Sequence, residues 1–134
     1  MQIFCIEEFK CAFEKLVKKR PYRDVEMAII DHFFDKNLAD LCSGIRLNNS
    51  EEMPYIKKRL NGSGGYRIYY YVIIKNHNIY LMFVHPKIGD LGSSNITDES
   101  KSHIYKKVLE CIKDNKLYVV SLSESRKKLL FTKK

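Results

Sequence analysis

Lys57, Lys58, Arg59, Arg67 and Lys87 stand on an aromatic, β-branched stretch, residues 55–87, together with His85. The stretch reads as three consecutive strands. In a strand successive side chains point to opposite faces, so Lys57 and Arg59 share one side and Lys58 takes the other. In the next strand Tyr66, Ile68, Tyr70, Val72 and Ile74 fall on one face, while Arg67, Tyr69, Tyr71 and Ile73 fall on the other. If these strands are antiparallel neighbours, three cations gather within two strand spacings, about 10 Å. That is a phosphate-sized target.

The elements that must position these residues belong to a chain of 134 residues, the length of one domain with a real core. With 45% hydrophobic and 30% charged residues the chain is expected to fold, and its formal net charge of +8 points to a polyanionic partner, nucleic acid first. Cys5, Cys11, Cys42 and Cys111 include no CxxC pair and have no histidine at ligand spacing, so neither a metal nor another cofactor is expected. Acids follow directly on a very short apolar run at the start, which does not make a signal peptide, and no apolar run is long enough to span a bilayer. A cytoplasmic protein with reduced, buried thiols and no membrane association is the expectation.

Residues 2–6 read as an opening strand. Residues 7–19 carry Phe9, Phe13, Leu16 and Val17 at helical spacing, with acids at the start and Lys18, Lys19 and Arg20 at the end, before Pro21 stops the helix. A second helix over 22–35 completes a helical hairpin, and His32 lies at the edge of its apolar stripe, where a histidine is a core or boundary residue. A polar connection over 43–54 leads to the strand 55–60. The glycine-rich residues 61–65 lack the order of a phosphate-binding loop and precede a strand, so they read as a hairpin turn. A strand over 79–84, a loop over 87–95, a helix capped by Thr97 or Asp98 and a strand over 117–122 follow. The domain is expected to span 1–122, with 123–134 a basic tail ordered only by a partner.

This order of elements, with the K-x-R of Lys57 and Arg59, the GGYR-x-x-Y of residues 64–70, the apolar strand ending in His85, Pro86 and Lys87, and the helix that follows, resembles the RelE/HigB group of bacterial type II toxins in the RelE/ParE superfamily. The resemblance implies an α+β fold, a RelE-like small domain with an antiparallel sheet, an N-terminal helical hairpin and a helix after the central strands. It also implies an endoribonuclease that cuts mRNA, in many members within the A site of the 30S ribosomal subunit, inhibits translation and is neutralised by a cognate antitoxin protein. Lys57 or Lys58 and Arg59 match the basic positions before the glycine turn, Arg67 matches the arginine of the family's GYR, and Lys87 matches the basic residue after the last apolar strand. Two departures stand out. The loop 88–96 has no tyrosine where the RelE branch carries one, and the chain continues past the helix.

Metal-free RNA cleavage needs a base for the ribose 2′-OH, cations for the phosphorane and an acid for the departing 5′-oxygen, and leaves a 2′,3′-cyclic phosphate. The expected catalytic set gives Arg67 and Arg59 the phosphate, and Lys57 or Lys58 the base or a further electrostatic role, with Lys87 beside them. His85 is either the proton-transfer group or a solvated strand-end histidine. Tyr69 and Tyr71 either stack RNA bases or cover the sheet against the final helix. Lys127 and Lys128, in the tail, are expected to add nonspecific RNA affinity. The alternatives are a ParE-like toxin that inhibits DNA gyrase without chemistry, and an RNA-binding domain whose active site has decayed.

Overall fold

The computed structural model describes residues 1–62, 64–88 and 96–134. In chain order its elements are β1 (Gln2–Cys5), α1 (Glu7–Val17), a 3₁₀ turn (Arg20–Tyr22), α2 (Val25–Phe33), α3 (Leu38–Leu41), β2 (Ile45–Arg46), β3 (Tyr55–Leu60), β4 (Tyr66–Ile73), β5 (Asn78–Pro86), α4 (Asp98–Asp114), β6 (Tyr118–Leu122) and β7 (Leu129–Lys133). One seven-stranded sheet runs in the order β2-β3-β4-β5-β1-β6-β7. The α+β class therefore holds, with N-terminal helices and a helix after the central strands.

The sheet is mixed, which corrects the expectation of an antiparallel one. β1 lies parallel to β5, with Ile3 opposite Ile79 and Cys5 opposite Leu81, and antiparallel to β6. The physical reason is apolarity on both sides. Ile3 and Cys5 enter the core under α1 and α2, while Phe4 and the adjoining Ile6 enter the core under α4. A strand apolar on both faces belongs in the middle of a covered sheet, and the long stretch between β1 and β5 permits the parallel crossover.

Helices cover both faces. Phe9, Phe13 and Leu16 are the buried stripe of α1, and Val25, Ile29, Ile30 and Phe33 that of α2. They pack on Ile56, Leu60, Tyr66, Ile68, Tyr70 and Val72 of the sheet. On the other face Ile104, Val108 and Cys111 of α4 meet Tyr55, Tyr69, Tyr71, Tyr80 and Met82. The Oγ1 of Thr97 accepts from the Ser100 N–H at 3.1 Å, so Thr97 caps α4, and Asn115 closes it in the left-handed region at φ 56°.

Residues 123–134 are part of the fold, against the expected tail. After a turn, β7 pairs with β6 from Leu122 opposite Leu129 to Tyr118 opposite Lys133. The Leu129 N–H donates to Glu26 Oε2 at 2.9 Å, and Arg126 forms an ion pair with Asp35. Alternation explains the difference: Leu129 and Phe131 turn inward onto the core, and the basic residues hid this pattern. Of the four free thiols, Cys5 and Cys111 are buried but Cys11 is exposed, so the expectation of uniformly buried thiols is also corrected. Among the described residues no helix is long and apolar enough to cross a membrane. Of the expected loop 87–95, residues 89–95 lie outside the described residues.

Candidate functional site

β3 and β4 form the expected hairpin. The Gly65 N–H closes the turn on Gly62 O at 3.0 Å, and Gly65 sits at φ +81°, where a side chain is strained. The pairing places Arg59 directly opposite Arg67, and Lys57 opposite Tyr69. On the other side of β4, Arg67 lies opposite His85. Arg59, Arg67 and His85 thus form one row across three strands, about 10 Å long. Lys87 extends it: a Cβ on Gly65 would lie 3.4 Å from Lys87 Cδ and 3.6 Å from Arg59 Nε, so both side chains converge over the bare glycine backbone.

α4 adds a cation that the sequence reading missed. Lys101 acts electrostatically on Lys57, and its own described partner is Asp98, 3.7 Å away, whose carboxylate is fully exposed. The signal was present in the helix phase. Lys101, Ile104, Val108 and Cys111 share the face that α4 turns to the sheet, so a lysine opens an otherwise apolar stripe. Burial, then Lys101 and Arg67, lower the Lys57 ammonium below the ordinary lysine value. An amine so placed gives up its proton more readily than a solvated lysine.

Lys58 is not part of this cluster. It points to the α2 side and donates to Ser43 Oγ at 3.0 Å, as alternation along β3 requires. Tyr69 and Tyr71 are 0% and 3% exposed. Tyr71 meets the Tyr105 ring edge-on at 5.7 Å, while Tyr105 stacks on Tyr55 at 5.1 Å. Base stacking on Tyr69 and Tyr71 is therefore corrected: α4 covers the face that the sequence left open to water, and both rings are core.

His85 is neither solvated nor at an open mouth. It is 5% exposed, with Nδ1 3.0 Å from Pro86 O and Nε2 3.2 Å from Tyr69 Oη. A carbonyl only accepts, so Nδ1 carries the proton and the Tyr69 hydroxyl donates to Nε2. Burial lowers the His85 pKa, the Pro86 carbonyl opposes this, and Arg67 and Lys57 add to the lowering. The ring is neutral at pH 7 with both nitrogens engaged. This makes it a support for Tyr69 more than a free proton-transfer group.

Lys127 and Lys128 lie in the turn between β6 and β7, and Lys128 pairs with Glu26 of α2 at 3.6 Å. They sit on the α1–α2 side, at the opposite end of the strand order from β3, and do not extend the row. Among the described residues no cluster of His, Cys, Asp and Glu is arranged to hold a metal ion. The row can bind an anion with two phosphate-sized spacings, and offers one amine, Lys57, biased toward its neutral form. Comparisons with protein-family models, with curated proteins and with solved structures give no match for this chain.

Proposed function

We propose that this chain is an endoribonuclease of the RelE/HigB kind, which holds the RNA backbone on Arg59, Arg67 and Lys87 and cuts it without metal. The observation that carries the reading is the direct opposition of Arg59 and Arg67. Like charges facing each other across strands cost stability, a few tenths to about 1 kcal/mol per pair, and a polyanion laid over them removes that cost. Arginine suits the task because its fork binds two phosphate oxygens and stays charged.

Lys57, lowered by burial and by Lys101 and Arg67, takes the 2′-OH proton. The 2′-oxygen attacks phosphorus, the bond to the 5′-oxygen breaks, and the Lys87 ammonium protonates the leaving oxygen. The products are a 2′,3′-cyclic phosphate and a 5′-hydroxyl. His85 acts through Tyr69 as a positioning residue. Action in the ribosomal A site and neutralisation by an antitoxin in the cytoplasm follow from the family resemblance.

The test is to add the protein to a defined mRNA, free and on programmed ribosomes, and to map fragment ends. Cuts ending in a cyclic phosphate support the reading. A second reading, RNA binding without cleavage, draws on one feature: the histidine of the cluster has no free nitrogen. Intact mRNA that remains bound to the protein would favour it.

A further inference from the structure

A cleft of about 490 Å³ opens between α2 and the β3–β4 turn. Its size falls in the range of small-molecule sites, roughly 300–1,000 Å³. Met27 and Ala28 give it an apolar wall; Asp31, His32 and Asn61 give it polar groups; Arg59 is part of its lining. Gly62 completes the turn side, where a Cβ would lie 2.5 Å from the Tyr66 ring and so leaves no room for a side chain.

Two observations point to a ligand. The Nε2 atom of His32 is buried and has no hydrogen-bond partner among the described residues, an arrangement that costs free energy unless something arrives to bond it. Burial, with Lys58 and Lys36, pushes this histidine down to about 4, so the ring is neutral at pH 7. The second observation is that Arg59 belongs both to this cleft and to the cation row. The pairing of β2 with β3 ends at Lys57, so among the described residues no strand pairs with the edge of β3 at Arg59. A nucleic-acid strand on the row can cross that edge at Arg59 and drop its next base into the cleft.

We propose that this cleft binds the RNA nucleobase adjoining the phosphate on Arg59 and selects guanine, an inference that rests on the RNA reading of the cation row. Guanine carries two adjacent donors, N1–H and the N2 amino group, which match the two oxygens of one carboxylate. Asp31 supplies it: the residue is exposed and takes no part in the described ion pairs. Asp24, the other cleft carboxylate, already accepts from the Tyr66 hydroxyl. The guanine O6 and N7 acceptors meet the Asn61 amide and the neutral His32 ring, whose Nε2–H tautomer donates. Uracil offers one donor between two carbonyl oxygens, which a carboxylate repels.

The experiment measures binding of single-stranded RNAs that differ at one position, carrying guanosine, uridine or an abasic site there, by fluorescence anisotropy at fixed low salt. The wild type is expected to bind the guanosine RNA about tenfold more tightly than the uridine RNA. Asp31→Asn replaces two acceptors by one acceptor and one donor, and should bring that ratio close to one. Ala28→Leu, which fills the cleft, should do the same, with thermal unfolding as the check that each variant is folded. A folded Asp31→Asn variant that keeps the full preference, or a wild type that binds all three RNAs equally, overturns the guanine cleft and leaves the cation row standing. A wild type that binds none of them overturns both.

Discussion

Two basic regions of this molecule look alike in composition and differ in how their charges are arranged. In the turn between β6 and β7, Arg126 pairs with Asp35 and Lys128 with Glu26, so two of the three cations meet acids and the pairs fasten a hairpin to α2. Across β3, β4 and β5, Arg59 faces Arg67, and Lys57 feels Lys101 and Arg67. Cations that face acids hold the fold; cations gathered beside other cations make a positive row suited to an anion. Surface pairs of the first kind contribute about 0–1 kcal/mol each, whereas a row of the second kind can gain with every phosphate it neutralises.

The largest effect on this contrast should come from Lys57→Met, which keeps the stem and removes the amine. Cleavage in single turnover should fall by about 10²–10⁴, the range for loss of a proton-transfer group, with RNA affinity changed far less. Tyr69→Phe comes next. It leaves the buried Nε2 of His85 without its donor, and chemical denaturation should show a loss of about 1–3 kcal/mol.

Acid should act through the histidines. The folded pKa of His32, about 4, lies below its ordinary 6.5, so the unfolded chain takes the proton first. Its contribution is present above pH 6.5 and is lost as pH falls toward 4, on the order of 1–2 kcal/mol after allowance for partial exposure. His85 acts in the same direction. A His32→Gln variant should therefore show a flatter decline of unfolding midpoint between pH 6.5 and pH 4. The smallest effect belongs to the double change Lys127→Ala and Lys128→Ala. If the paired region is structural, the salt dependence of RNA binding should hardly move, and a slope that falls by about 1.4, the loss of two single-strand phosphate contacts, would place phosphates on the hairpin as well.

Much of the row was legible because strand periodicity is strict. Lys57 and Arg59 two apart, Arg67 beside Tyr69, and a glycine turn between them fix which side chains share a face once the hairpin register is known. What alternation cannot tell is what lies over that face. The same logic that gathered the cations left Tyr69 and Tyr71 either to stack bases or to cover the sheet, and the packing of α4 decides that both are core. His85 was misjudged for the same reason. Lys101 joins from a helix distant in sequence, and although its phase on α4 marks it as inward, nothing local names Lys57 as its neighbour. β1 was recognisable as a strand, but its place between β5 and β6 depends on which edge remains open after the hairpins form. In residues 123–134 the run of Arg126, Lys127 and Lys128 outweighed the alternation of Leu129 and Phe131 that makes β7 a strand.

The central claim, that the cations of β3, β4 and the end of β5 form a phosphate site, is tested most directly by RNA binding across a range of salt. Binding by the wild type should weaken linearly in log–log form, with a slope near −0.7 for each single-strand phosphate neutralised, and Arg67→Glu should lose affinity by about a hundredfold or more and flatten the slope. A folded Arg67→Glu variant that binds RNA with the wild-type affinity and slope would contradict the account.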